Sequence, residues 1–185
     1  MFLPRVVLET PSPKRERDYL DAAHRSRELH RGLVTVARSS DEYQLLLHRA
    51  RQERQAAYFI VLAATGELAG VVNLSDIDRE REQVASLGYY AFLPHAGSGF
   101  MREGLALVVA ESFGALGLER LDASVQPKNR RSIALVRGLG FAHAGRSAFL
   151  KVGLRWRAHE RWELRREDWC GAMALERGGS RVAER

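Results

Sequence analysis

The 185-residue chain has a single cysteine, Cys170. One thiol excludes an internal disulfide and any metal cluster built on cysteines. Cys170 also lies late in the chain beside a polar stretch, which makes it a poor candidate for a catalytic nucleophile. No apolar run approaches the ~20 residues that span a bilayer. Met1 to Arg5 is too short and too quickly charged for a signal peptide, so the expectation is a cytoplasmic protein with no membrane partner. Internal repeats and long linkers are missing as well.

The composition that remains is that of a globular domain: 45% hydrophobic and 28% charged residues. Its length suffices for one domain with a full core. The formal net charge of +6 attracts anions. The arginines are nevertheless spread along the chain and mostly alternate with Glu or Asp. That pattern describes solvated faces rather than a nucleic-acid groove, so no direct nucleic-acid partner is expected.

Val6 to Glu9 reads as a short strand, and Pro11 and Pro13 then open a helical stretch from Glu16 to Leu29. Ser39, Ser40 and Asp41 form an N-cap cluster for a second helix running to about Arg54. Ala57 to Ala63, Leu68 to Leu74 and Ala85 to Leu93 are β-branched and aromatic, with Thr65-Gly66 as a turn and the polar stretch Asp76 to Gln83 as a hairpin loop. Pro94 ends the third strand because it cannot donate to a ladder. Leu105, Val108, Val109, Phe113 and Leu116 recur at helical spacing. Leu121 to Val125 is a strand, Arg130 to Arg137 a helix stopped by glycines 138 and 140, and Phe141 to Val152 and Arg155 to Leu164 are the last strands. This order predicts a mixed α/β fold: an antiparallel meander, then a strand–helix–strand crossover, with helices flanking the sheet.

Two junctions carry the chemistry. The first is Ala96-Gly97-Ser98-Gly99-Phe100-Met101, between a strand and an amphipathic helix. Glycines let a ligand approach the backbone, and the helix start offers unpaired N–H groups suited to a phosphate. The segment is neither a Walker loop, since no Gly-Lys-Ser/Thr follows, nor a G-x-G-x-x-G fingerprint. The second is Gln126-Pro127-Lys128-Asn129-Arg130-Arg131-Ser132, where Asn129 reads as an N-cap and also offers a donor and an acceptor to an amide-bearing ligand arm. Both follow strands whose carboxyl ends should line one cleft.

These junctions resemble the GNAT acyltransferase superfamily, whose phosphate loop follows Q/R-x-x-G-x-G/A. Ala96, Gly99 and Met101 occupy those positions; the central glycine matches, and the first and last depart. The stretch Gly97 to Leu105, the Q-P-x-N-x-x-S run from Gln126 to Ser132, and the ending from Phe149 to Trp169 are similar to the RimJ/RimL branch, which acetylates ribosomal-protein N-termini. The resemblance implies one GNAT-like domain over residues 1–169, with 170–185 a polar tail. It implies a mostly antiparallel sheet with one splayed parallel pair, acetyl-CoA as acyl donor and no metal.

Phe92 and Leu93 would then bond the pantetheine arm through their backbones. Gly97, Ser98, Gly99, Phe100 and Met101 would hold the pyrophosphate, and Asn129 would bond the pantetheine. Ser132 would lie near the sulfur and protonate the leaving thiolate. Arg102 and Arg131 are either phosphate contacts or solvated arginines. The branch's carboxylate base near the late strand falls at Lys151 here. That departure leaves Tyr90, Glu103, Ser75, Asp76, His159 and Glu160 as candidates for the proton acceptor. Trp156 and Trp162 read as core or rim packing. The acceptor side falls in the helical region His24 to Ser40. The expected reaction is direct acetyl transfer to a primary amine, such as a ribosomal-protein N-terminus, by a monomer or homodimer. The competing expectations are a small-amine, polyamine or antibiotic acetyltransferase, a non-catalytic acyl-CoA-binding module, and a basic nucleic-acid- or ribosome-binding protein whose footprint is the Arg-rich surface.

Overall fold

A computed structural model describes residues 4–171. The chain enters as strand β1 (Val6–Glu9), makes a 3-10 turn at Pro13–Arg15, and continues as helix α1 (Glu16–Arg25). The single helix expected from Glu16 to Leu29 is broken at Ser26, and a short helix α2 (Arg27–His30) follows. The Ser26 hydroxyl donates to the Ala22 carbonyl at 2.7 Å, a local bond that competes with the helix ladder. Helix α3 (Ser40–Ala50) is capped by Ser39, whose side chain accepts from the Glu42 N–H. It stops four residues before the expected Arg54, where a run of polar residues folds into tight turns instead.

Strands β2 (Ala56–Leu62), β3 (Leu68–Asp78) and β4 (Val84–Ala91) form the meander. β3 runs on into the segment expected to be a loop. A bulge between Ser75 and Asp78, with Asp76 at φ 54°, lets Leu74 and Ile77 both turn inward. Then come α4 (Phe100–Phe113), β5 (Arg120–Val125), α5 (Arg130–Gly138), β6 (Ala142–Val152) and β7 (Arg155–Arg165). The expected tail lies outside the described residues beyond Gly171.

Among the described residues seven strands form one sheet in the order β1-β2-β3-β4-β5-β7-β6, antiparallel except for the β4–β5 pair. Strand alternation sorts side chains into two cores. Ile60, Val72, Leu87 and Leu121 pack under α4 and α5 with Leu105, Val108, Val109 and Val136. Phe59, Val71, Tyr90 and Phe92 pack under α1 and α3 with Tyr19, Ala22, Tyr43 and Leu47. Each fully buried aliphatic side chain contributes ~1.5–3 kcal/mol, so both helical layers are held mainly by burial. Helix α4 sits close to the sheet because two glycines face it across the interface. A Cβ on Gly104 would strike Ile60, and one on Gly70 would strike the Met101 sulfur. The bulk of Met101, at a position where the family motif has a small residue, is thus accommodated by the bare backbone at Gly70.

Candidate active site: a wedge between the parallel strands

The parallel ladder between β4 and β5 is short. It pairs Val84 with Arg120 through Leu87 with Ala123 and goes no further. Beyond that point β4 continues beside β3 to Ala91, while Ser124 and Val125 follow β7. The two strands part, opening a wedge at their carboxyl ends, the position at which parallel sheets present backbone groups to ligands. Everything the two sequence junctions contribute converges here.

On one side of the wedge lies the loop into α4. Gly97 (φ 91°) and Gly99 (φ 86°) both hold left-handed backbone that only glycine adopts at little cost. The Gly99 carbonyl accepts from the N–H groups of Arg102 and Glu103, so α4 begins with its first N–H groups facing the loop. Arg5, from the start of β1, lies over the Phe100 ring at 4.8 Å. Its guanidinium also pairs with Glu103, Nε donating to Oε1 at 2.7 Å. Arg5 therefore lies beside this loop with its charge met by Glu103, which is turned to Arg5 rather than to the wedge. Arg102 donates to the Gly138 carbonyl at 3.2 Å and so ties α4 to the end of α5.

On the other side, Asn129 caps α5, its Oδ1 accepting from the Ser132 N–H at 3.2 Å. The cap leaves the Asn129 amide NH2 as the group with which it can serve a ligand. The Ser132 hydroxyl lies 2.5 Å from the Tyr89 hydroxyl. Burial pushes the Tyr89 phenol up to about 12, against the lowering effect of the Ser132 bond, so the pair stays protonated across the physiological range. Tyr90, the tyrosine singled out in the sequence, faces the opposite layer. Its hydroxyl meets that of Tyr19 at 2.7 Å, and burial lifts its phenol well above the ordinary range.

The expected backbone positions are partly occupied by the protein itself. The Phe92 N–H donates to Ala69 O at 2.8 Å, and the Leu93 N–H donates to Ser26 Oγ at 2.8 Å. A ligand arm at these two residues must therefore use their carbonyls. His30 supplies a third tie, with Nε2 2.7 Å from the Ala91 carbonyl. The α1–α2 corner thus grips the free end of β4 through Ser26 and His30.

The other expected proton acceptors are dispersed. Ser75 donates to Asp76 at 3.3 Å beside the bulge, near the start of β4 and away from the wedge. His159 is buried, with Nδ1 2.9 Å from Arg157 O. Glu160 stands opposite Val125 at the carboxyl end of β5, 3.8 Å from His143. Lys151 and Trp156 pair near the tip of the exposed β6–β7 hairpin, whereas Trp162 is buried in the first core. Cys170 is exposed.

The segment expected on the acceptor side is tied to the end of β5 and to the β6–β7 hairpin turn. Gln126 Nε2 donates to the Gly32 carbonyl at 2.9 Å, and the Gly153 N–H donates to Thr35 Oγ1 at 2.9 Å. Between this segment and the hairpin tip lies a cavity of about 410 Å³ whose wall includes His30, Arg38 and Glu42.

Four residues of this site were missed in the sequence: Arg5, Ser26, His30 and Tyr89. Tyr89 carried a usable signal. Ala85 and Leu87 are apolar alternate residues, and the same alternation puts Tyr89, not Tyr90, on the α4–α5 face. The other three act through partners far away in sequence.

A splayed parallel pair, a glycine loop feeding a helix and an Asn-capped second helix together define a GNAT domain, and the acetyltransferase (GNAT) domain model matches residues 5–142. The chain belongs to this family, whose members take acetyl-CoA as acyl donor. By sequence it is similar to the probable N-acetyltransferase YjcK of Bacillus subtilis, 32% identical over 64% of this chain and 65% of that protein. It is also similar to the ribosomal protein uS5-alanine N-acetyltransferase of Escherichia coli, 31% identical over 56% of this chain and 54% of that protein. The matches thus span somewhat less than two thirds of either relative. In structure it is similar to Mycobacterium smegmatis RimJ in complex with CoA-disulfide (TM-score 0.82, 20% identity, 94% of each chain). Spermidine N-acetyltransferase from Vibrio cholerae, in complex with CoA and spermine, shares the fold (TM-score 0.75, 18% identity, 89% of this chain and 97% of that one).

Proposed function

We propose that this protein is an acetyl-CoA-dependent N-acetyltransferase whose acceptor is a protein N-terminus, a ribosomal protein being the leading candidate. The observation that carries the reading is the wedge itself, with the glycine loop on one flank and the Tyr89–Ser132 pair on the other. The first N–H groups of α4, with the helix dipole behind them, suit the pyrophosphate of CoA. The carbonyls of Phe92 and Leu93 and the Asn129 amide suit the amide groups of pantetheine. Gly97 through Met101 provide the turn, and Arg102 braces it against α5.

The acceptor amine attacks the thioester carbonyl directly, and most of the rate comes from holding both reactants in line. The leaving sulfur departs beside Ser132 and Tyr89. A phenol held at about 12 is a weaker acid than a thiol of ordinary pKa near 8.5. Full proton transfer to the thiolate is therefore uphill, and the pair acts by donating a hydrogen bond to the developing negative charge.

A polyamine acceptor fits the wall less well. The cavity by the acceptor segment carries Arg27, Arg31 and Arg38 against Glu28 and Glu42, a balance that repels a polycation. The polar Tyr89–Ser132 pair favours turnover over mere acyl-CoA sensing.

The test is calorimetric titration of acetyl-CoA into the wild type, Asn129→Ala and Gly99→Trp, followed by transfer assays on N-terminal peptides and on spermidine. Binding that weakens in Asn129→Ala and is nearly lost in Gly99→Trp, with peptides acetylated in preference to spermidine, supports the reading. A folded wild type that binds no acetyl-CoA sinks it.

A further inference from the structure

Two arginines beside the acceptor segment have no counterion. Arg38 is half-buried in the wall of the cavity of about 410 Å³, and its Nε is sealed from water without a hydrogen-bond partner. Arg157, on β7, is also half-buried with an orphan Nε, and one of its terminal nitrogens lies 3.9 Å from where a side chain at Gly32 would begin. Gly32 belongs to the same wall. Neither guanidinium forms an ion pair among the described residues. Glu42, also in the wall, is engaged by the backbone at the start of α3. Its Oε2 accepts the Arg38 N–H at 2.6 Å, and its own N–H donates to Ser39 Oγ. Glu28 is paired with Arg31 at 3.2 Å, and Arg27 is exposed. The wall is left with a positive excess.

Half-burying a guanidinium without a partner costs stability, and a carboxylate delivered by a ligand removes that cost. Nε is the only sealed nitrogen in each residue, so the terminal NH2 groups of both forks stay open to such a ligand. The segment they flank is bonded to both lips of the wedge. His30 Nε2 lies 2.7 Å from the Ala91 carbonyl at the end of β4, and Gln126, the first residue after β5, donates to the Gly32 carbonyl at 2.9 Å. His30 adds no charge of its own at pH 7: burial lowers its pKa, the Ala91 carbonyl opposes this, and the Arg38 charge lowers it further.

We propose that Arg38 and Arg157 form an anion subsite for the acceptor, and that the N-terminus acetylated here carries an acidic side chain within its first few residues. The inference rests on the N-acetyltransferase reading and narrows its acceptor. With the amine in the wedge, an extended acceptor chain advances ~3.3 Å per residue, so the residues just after the terminus run along this wall. A carboxylate there meets guanidinium forks, which bind it through paired N–H···O bonds as an ammonium cannot. A neutral side chain leaves the forks uncompensated, and a basic one is repelled. A small amino acid offers the same carboxylate, so free amino acids belong in the test.

Steady-state transfer from acetyl-CoA to matched peptides is the test. The peptides share an N-terminal alanine and differ only by Glu, Gln or Lys at the second, third or fourth position. At one or more of these positions kcat/KM for Glu should exceed that for Gln by about tenfold or more, carried mainly by KM, with Lys poorer than Gln. The advantage should shrink as salt rises. Arg38→Gln and Arg157→Gln should each bring the Glu/Gln ratio toward one, with acetyl-CoA affinity within about threefold of wild type by calorimetry. A merely structural defect lowers both rates together and leaves the ratio standing. A wild type that treats Glu and Gln peptides alike, or prefers Lys, overturns the proposal, and that comparison needs no variant to fold. A ratio that survives in both variants overturns it too. Free glutamate acetylated faster than any peptide overturns the N-terminal source of the carboxylate. A wild type that binds acetyl-CoA but acetylates no amine overturns the transferase reading and this inference with it; an active wild type indifferent to the carboxylate overturns this inference alone.

Discussion

Gly104→Ala sets helix propensity against packing, and the structure says which wins. Alanine in mid-helix is favoured over glycine by about 1 kcal/mol. The new methyl, however, would lie 2.7 Å from both Cγ1 and Cγ2 of Ile60 and closer still to Cδ1. Ile60 is completely buried beneath α4 and cannot swing aside. Overpacking of this kind costs ~1–3 kcal/mol, so the net effect is a loss of up to about 2 kcal/mol, lowering the Tm by roughly 2–4 °C for each kcal/mol. Ile60→Val removes one methyl and alone should cost ~0.5–1.5 kcal/mol. Combined with Gly104→Ala it restores the lost volume, so the double variant should be more stable than the sum of the singles by about 1 kcal/mol or more. Urea denaturation of the four proteins measures this. Because α4 begins at the glycine loop, the single Gly104→Ala should also weaken acetyl-CoA binding, and the double should recover it. A Gly104→Ala protein more stable than wild type would refute the reasoning, since it would mean that α4 rests on the sheet with slack.

Other perturbations reach the site and the buried titrating groups. Tyr89→Phe and Ser132→Ala should each lower kcat with little change in acetyl-CoA affinity, and their effects should be far from additive because they share one hydrogen bond; single-turnover kinetics would show this. Ser26→Ala removes the acceptor of the Leu93 N–H and should cost ~1–3 kcal/mol while loosening acetyl-CoA binding, read by urea midpoints and calorimetry. The phenols of Tyr19 and Tyr89 are raised by burial to about 12 from an unfolded value of 10.0, so their stabilisation is complete below pH 10 and is lost as pH climbs to 12. Each contributes a decline of about 1.4 kcal/mol per pH unit in that window, which Tyr→Phe at either position should flatten. His30 behaves in the opposite sense. Its pKa is lowered from 6.5, so stability should fall as pH drops below 6.5, and His30→Gln should remove that slope.

What could be read from the sequence was what the chain encodes locally. Apolar runs and turn residues located all seven strands, and the Asn129 cap and the glycines at 97 and 99 were visible because each acts within a few residues of itself. Boundaries failed where a local competitor intervened. The Ser26 hydroxyl turned back on its own helix, and the Asp76 bulge carried β3 past a run of charges to bury the isolated Ile77. The site was less legible than the fold for a related reason. Arg5 meets Glu103 across 98 positions, and His30 meets Ala91 across 61, pairings that no spacing rule contains. Tyr89 was missed differently: two adjacent tyrosines offered themselves, and only the pleat of β4 distinguishes the one facing Ser132 from the one facing Tyr19.

The parting of β4 from β5 gives the wedge two mouths, one on each face of the sheet, and they belong to different helical layers. Tyr89, Ser132 and the glycine loop stand at one mouth; His30 and the arginine-lined cavity stand at the other. A donor and an acceptor that enter from opposite faces never share a corridor. On the proposed reading, a bulky acceptor such as a folded protein presents its terminus without displacing the nucleotide. The same separation lets selection rebuild one mouth for a new amine while the other goes on gripping the same thioester.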